Sequence, residues 1–125
     1  MSYDVHIARA PDWSESETAA ITLEEWIAYA RSDLELRVEV VDGRTESTLP
    51  TGEILSKKVK GLVAWLGQHG KTLAWFSHSG GSIDSRNPDT ATLRKMHAIA
   101  EALSARVQGD EGEFYDASGE VHDVP

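Results

Sequence analysis

Residues 87–115 read NPDTATLRKMHAIAEALSARVQGDEGEFY, and the way this stretch divides decides the fold. Leu93, Met96, Ala100, Leu103 and Val107 recur in steps of three and four, which sets them on one face of a helix. Asn87 is a good N-cap, Pro88 suits the first helical position, and Asp89 complements the positive end of the helix dipole. Gly109 stands just past the expected helix end, where a left-handed residue is often needed. An acidic turn over 108–113 then leads into a short strand at 114–115. It opens a tail, residues 108–125, with six carboxylates and no Lys or Arg.

The rest of the chain is read from this amphipathic helix outward. Tyr3, Val5 and Ile7 alternate with Asp4, His6 and Ala8, predicting a first strand with one buried face. Residues 11–20 are polar apart from Trp13 and read as a loop. Thr22-Leu23-Glu24-Glu25 fits a capping box, with Ile21 and Trp26 as a hydrophobic staple. Leu23, Trp26, Ile27 and Ala30 then share a face of a helix that ends near Ser32 or Asp33. Leu34, Leu36, Val38 and Val40 alternate with charged residues in a second strand that stops at Asp42-Gly43. Residues 44–53 have turn composition and read as a surface loop. Residues 54–60 are ambiguous. Residues 61–66, 72–77 and 82–86 predict a three-strand meander, with Trp65 and Trp75 facing each other across its first hairpin. The order strand, helix, strand, meander, helix, strand predicts an α+β fold. One mostly antiparallel sheet of five to six strands would carry two helices on one face, in a single domain over residues 1–125.

With no Cys among 125 residues, the chain has no disulfides, thiolate metal sites or thiol nucleophiles. The first residues lack the basic and apolar regions of a signal peptide, and no apolar run approaches the ~20 residues of a membrane span. These features predict a cytoplasmic protein with no membrane partner. The net charge is −9. It divides into −7 over residues 1–43, +4 over 44–107 and −6 over 108–125. Acidic ends around a mildly basic middle argue against nucleic acid, which requires a continuous positive footprint, and favour a basic protein partner.

Few residues point to chemistry. The five histidines include no His-x-x-x-His pair, and the acidic turn lacks the calcium-loop pattern, so no metal or cofactor is expected. Ser77-His78-Ser79-Gly80-Gly81 places a hydroxyl beside an imidazole, yet neighbours on a strand point to opposite faces, and a turn histidine is the plainer reading. His6 and His97 would form an acid/base pair only by meeting across the sheet–helix interface. Three of the four tryptophans, Trp26, Trp65 and Trp75, read as core. Trp13 stands among carboxylates, suited to anchor an interface or to cover one end of the sheet.

Ile21-Thr22-Leu23-Glu24-Glu25-Trp26, Asp33-Leu34-Glu35-Leu36, Asn87-Pro88-Asp89, Thr92-Leu93-Arg94-Lys95-Met96, Ile99-Ala100 and residues 107–115 carry a resemblance that spans about residues 3–115. Together they look like a group of small bacterial proteins, some of which resemble immunity proteins of contact-dependent and other polymorphic toxin systems. The resemblance implies a non-enzymatic inhibitor that binds a cognate toxin and blocks its active site or substrate groove. Such an inhibitor would use Glu15, Glu17, Asp110, Glu111, Glu113 and Asp116 for charge and Trp13 as anchor, against a basic toxin, possibly a nuclease. Two alternatives stay open: a small histidine-dependent hydrolase or ribonuclease, and a homodimeric interaction module joined acidic end to basic middle.

Overall fold

The computed structural model describes residues 3–122. Met1, Ser2, the side chain of His122 and the tail from Asp123 onward lie outside the described residues. The chain forms β1 (Asp4–Ala8), α1 (Leu23–Ser32), β2 (Leu36–Thr48), β3 (Ile54–Leu66), β4 (Thr72–Ser79), β5 (Ser82–Arg86), α2 (Thr90–Ala102), β6 (Arg106–Gly109), β7 (Phe114–Tyr115) and β8 (Val121–His122). The eight strands make one sheet in the order β2-β3-β4-β5-β1-β6-β7-β8. All neighbouring pairs are antiparallel. The α+β class and the antiparallel sheet are as expected. The strand count exceeds the expected five to six because Arg106–Gly109, where the helical spacing runs on, form strand β6, and Val121–His122 add the short β8.

The core lies on one face of this sheet. Val5, Ile7, Val63, Phe76, Ile83 and Val107 from the strands meet Trp26, Ile27 and Ala30 of α1 and Leu93, Met96 and Ile99 of α2. Both helices therefore cover the same face, which is how two amphipathic stripes and a sheet bury their apolar sides together. The capping box forms as read. Thr22 Oγ1 accepts from the Glu25 N–H, while a Glu25 carboxylate oxygen accepts from the Thr22 N–H. Arg9 forks onto that same carboxylate and holds it well below the usual range, at about 2. Lys95 of α2 reaches Asp33 and Glu35 at 2.9 and 2.8 Å, tying the second helix to the corner between α1 and β2.

Several boundaries differ from the sequence reading. The N-cap of α2 is Asp89, whose carboxylate accepts from the Thr92 N–H. Asn87 instead takes a left-handed φ of 48° and exchanges hydrogen bonds with the backbone of Tyr3, extending the β1–β5 pair by one step before the helix starts. The helix ends at Ala102, with Leu103 as C-cap and Ser104 left-handed at φ 56°. Val107 and Gly109 belong to β6, where Val107 pairs with Ile7 and Gly109 with Val5. The first strand is buried on both faces, Val5 and Ile7 by the helix-side core and His6 by the Trp13 indole on the other side. Residues 11–20 are not an open loop, since Trp13–Ala19 form a 3-10 segment capped by Asp12.

The β2–β3 hairpin departs furthest from expectation. Its strands run on through the expected stop at Gly43 and into the expected loop as far as Thr48, pairing from Leu36↔Trp65 out to Thr48↔Ile54, and only residues 49–53 form the turn. Only Val63–Leu66 of β3 also pair with β4. The outer half, residues 42–48 against 54–60, is a two-stranded ribbon whose side chains are mostly exposed. Trp65 and Trp75 do not face one another either. The register pairs Ala64 with Trp75 and Trp65 with Ala74, so the two indoles lie on opposite faces. Trp65 packs against the core, whereas Trp75 is 48% exposed.

Candidate functional site

The face of the sheet away from the helices carries the densest polar cluster. His6 alternates with Val5 and Ile7 in β1, so its ring points away from the core. It is nonetheless only 5% exposed. In β5 its register partner is Asp84, and in β6 it is Gln108. Nδ1 lies 2.6 Å from Asp84 Oδ1, and Nε2 lies 2.7 Å from Asp110 Oδ1, just beyond the end of β6. An ionised carboxylate only accepts, so a ring set between two of them is matched by the imidazolium form, in which both nitrogens donate. Burial alone would push the imidazole down, but the hydrogen bonds and charges of the two aspartates prevail and hold it above its ordinary value. Asp110 is held below the usual carboxylate range by the Asp4 backbone N–H and by His6. Ser82 Oγ donates to Asp84 Oδ1 as well.

Trp13 closes this cluster from above. Its indole stacks on the imidazole with ring centroids 3.9 Å apart and planes 10° from parallel. Its backbone N–H donates to Gln108 Oε1 at 2.7 Å, and Gln108 Nε2 donates to the Gly112 carbonyl at 2.9 Å. One glutamine thus joins the 3-10 segment to the acidic turn after β6 and fixes the position of the indole.

The seven predicted partner-binding residues divide by environment. Trp13 and Asp110 come together through His6. Glu15, Glu17 and Glu111 are exposed, with no side-chain hydrogen bond or ion pair among the described residues. Glu15 follows Trp13 in the 3-10 segment, Glu111 follows Asp110, and Glu17 stands beside Gly80 at the β4–β5 turn. Glu113 turns to the helix-covered side. There it accepts from the hydroxyls of Tyr3 and Tyr115 and fills the space a Cβ at Gly109 would take. Burial and this carboxylate push the Tyr3 phenol up to about 12, and Tyr115 rises in the same sense. Asp116 accepts from the Ser118 and Glu120 N–H groups and organises the β7–β8 turn.

The histidine arrangements considered for catalysis do not assemble. His78 is a strand residue, and it approaches the Ile21 carbonyl at 2.6 Å on the α1 side. Ser77 beside it pairs with Asp84. His97 lies 3.1 Å from Glu101 one turn along α2, with the sheet between it and His6. Among the described residues no group of His, Asp and Glu could hold a metal.

Below the His6 cluster an open groove of about 950 Å³ is lined by Lys58, Lys60, Trp75, Ser77, Asp84 and Arg86, a mixture of both charges. No helix of the described residues is long and apolar enough to cross a membrane. No family model matches the chain, and no curated protein or solved structure matches it.

Proposed function

We propose that this chain is an immunity protein, a cytoplasmic inhibitor that binds a basic toxin domain through the surface around Trp13. The observation that carries the reading is Trp13 itself, held flat on a doubly hydrogen-bonded imidazole, with Glu15 in the same 3-10 segment and Glu111 next to Asp110 having no side-chain partner among the described residues. Interface anchors are typically rigid aromatics ringed by polar groups, and uncommitted carboxylates steer a basic partner and set its register. The same geometry disfavours acid/base work at His6, whose nitrogens are both occupied. Glu113 and Asp116 play no direct part in this interface, since the fold already uses their carboxylates. Residues Glu15, Glu17, Glu111 and Trp13 hold the contact.

Co-expression with a toxin encoded by an adjacent reading frame tests the reading. Wild type is expected to restore host growth and Trp13→Ala to fail at equal cellular abundance. Equal protection by both would remove Trp13 from the interface.

A further inference from the structure

The ribbon has no account in the surface just described. Residues 42–48 of β2 pair only with β3, and β2 is the outer strand of the sheet. Its far side therefore presents a row of unpaired backbone N–H and C=O groups, and a two-stranded ribbon by itself is marginal in water. Ile54 and Leu55 are 64% and 52% exposed near its tip. The charges across it are also unbalanced. Arg44 faces Lys58, a like-charge pair, while Glu46 faces the neutral Ser56. Arg44 donates to the Ser56 hydroxyl at 3.2 Å, so among the described residues its charge is met by a neutral group and no carboxylate, and Glu46, two residues along the same face, has no basic residue opposite it.

We propose that this edge is the docking surface for a second copy of the chain, the two β2 strands pairing antiparallel about a twofold axis through Thr45. The axis has to pass through a residue, because opposed residues share a face and sequence neighbours do not. Placed on Asp42, Arg44 or Glu46, it sets like charges face to face. Placed on Gly43, it opposes Arg44 to Asp42 but sets Glu46 against Val40 and brings Ser47 and Thr48 alongside the bulge between Val38 and Val40. Nearer the body it runs through that bulge, and on Ser47 or Thr48 it leaves Arg44 with no carboxylate opposite. Placed on Thr45, it sets Arg44 opposite Glu46 of the second copy, twice by symmetry, and pairs residues 42–48 beyond the bulge. On the other face Leu55 and Ser47 continue into Gly43 and Val59 of the second copy, small residues between two apolar ones. Each β2 leaves its own body at Leu36, so antiparallel pairing sends the bodies to opposite ends without collision. The result is a four-stranded ribbon with Arg44 between Lys58 and a carboxylate. This surface is separate from the Trp13 surface and does not depend on the toxin reading.

Because the chain has no Cys, single-cysteine trapping is clean. Sedimentation velocity across the micromolar to submillimolar range is expected to show a monomer–dimer equilibrium. Thr45→Cys should form an intermolecular disulfide under mild oxidation, and Lys57→Cys, its neighbour across the ribbon, should not. Arg44→Glu should weaken the dimer at least about tenfold, and adding Glu46→Arg should restore it by exchanging the pair. Arg44→Glu removes the like-charge contact with Lys58, so it is not expected to unfold the ribbon. A wild type that stays monomeric throughout overturns the proposal. So does a dimer that traps through position 57 and not 45, or one indifferent to Arg44→Glu.

Discussion

The imidazole of His6 lies between two carboxylates in its own plane and the flat indole of Trp13, 3.9 Å away centre to centre. Three segments of chain converge on that ring: β5 through Asp84, the turn after β6 through Asp110, and the 3-10 segment through Trp13. A cation of this kind binds its neighbours to one another, so its removal should be felt well beyond position 6. His6→Gln keeps a polar side chain but leaves Asp84 and Asp110 without the charge between them. Their partial exposure places the cost toward the low end for a broken buried pair, about 2–3 kcal/mol by urea unfolding. A loss within experimental error would mean that the aspartates re-solvate freely and that the cluster does not order the surface.

The same cluster sets a pH dependence. The folded-state value of His6 is raised, so its contribution is fully present below the unfolded value of about 6.5 and is lost as pH climbs through the folded value. Asp110 is held low, so its contribution is present above about pH 4 and is lost as pH falls through its folded value. The stability gap between wild type and His6→Gln should therefore narrow with rising pH above about 6.5. Unfolding titrations at several pH values check this, and a gap that widens in that range would contradict a charged His6.

The tryptophans should separate sharply. Trp26 is fully buried and its Nε1–H donates to the Gly61 carbonyl at 2.8 Å, so Trp26→Ala should cost about 3–5 kcal/mol. Trp75, on the open face, should tolerate Ser to within about 0.5 kcal/mol. Thermal unfolding of the two variants distinguishes them, and comparable losses would mean that Trp75 packs as Trp26 does.

Gly61 illustrates a constraint set by close packing. Its φ is +58°, and an added Cβ would lie 2.7 Å from Trp26 Cδ1 and 2.8 Å from His78 Cβ. Gly61→Ala combines left-handed strain with a clash inside the core and should cost about 2–4 kcal/mol. Gly70→Ala, also left-handed but with open space around it, provides the control and should cost about 1 kcal/mol.

What was legible in the sequence was local. The capping box at Thr22 and the start of α1 were readable because every participant lies within four residues. The helix at residues 90–102 was readable from its period, but the period misled at its end. Leu103 and Val107 face the same core from a cap and from a strand, so the three-and-four spacing carried on past the helix. The ribbon was misread for the opposite reason. A two-stranded arm buries neither face, so residues 44–53 show no alternation and keep the composition of a loop. Trp13 and the carboxylates were singled out from composition, but their division was not foreseeable. Asp84 and Asp110 stand 78 and 104 residues from His6, and Gln108 is 95 from Trp13. A histidine between two apolar strand residues was the one available hint that a polar pairing had to exist beneath.

On the proposed reading, the Trp13 surface binds a basic toxin domain. The most direct test measures that domain's affinity for wild type and for the triple variant Glu15→Lys, Glu17→Lys, Glu111→Lys, alongside their melting temperatures. These side chains make no hydrogen bond or ion pair among the described residues, so Tm should stay unchanged while affinity falls on the order of 100-fold at low salt. Unaltered affinity with an intact fold would contradict the claim.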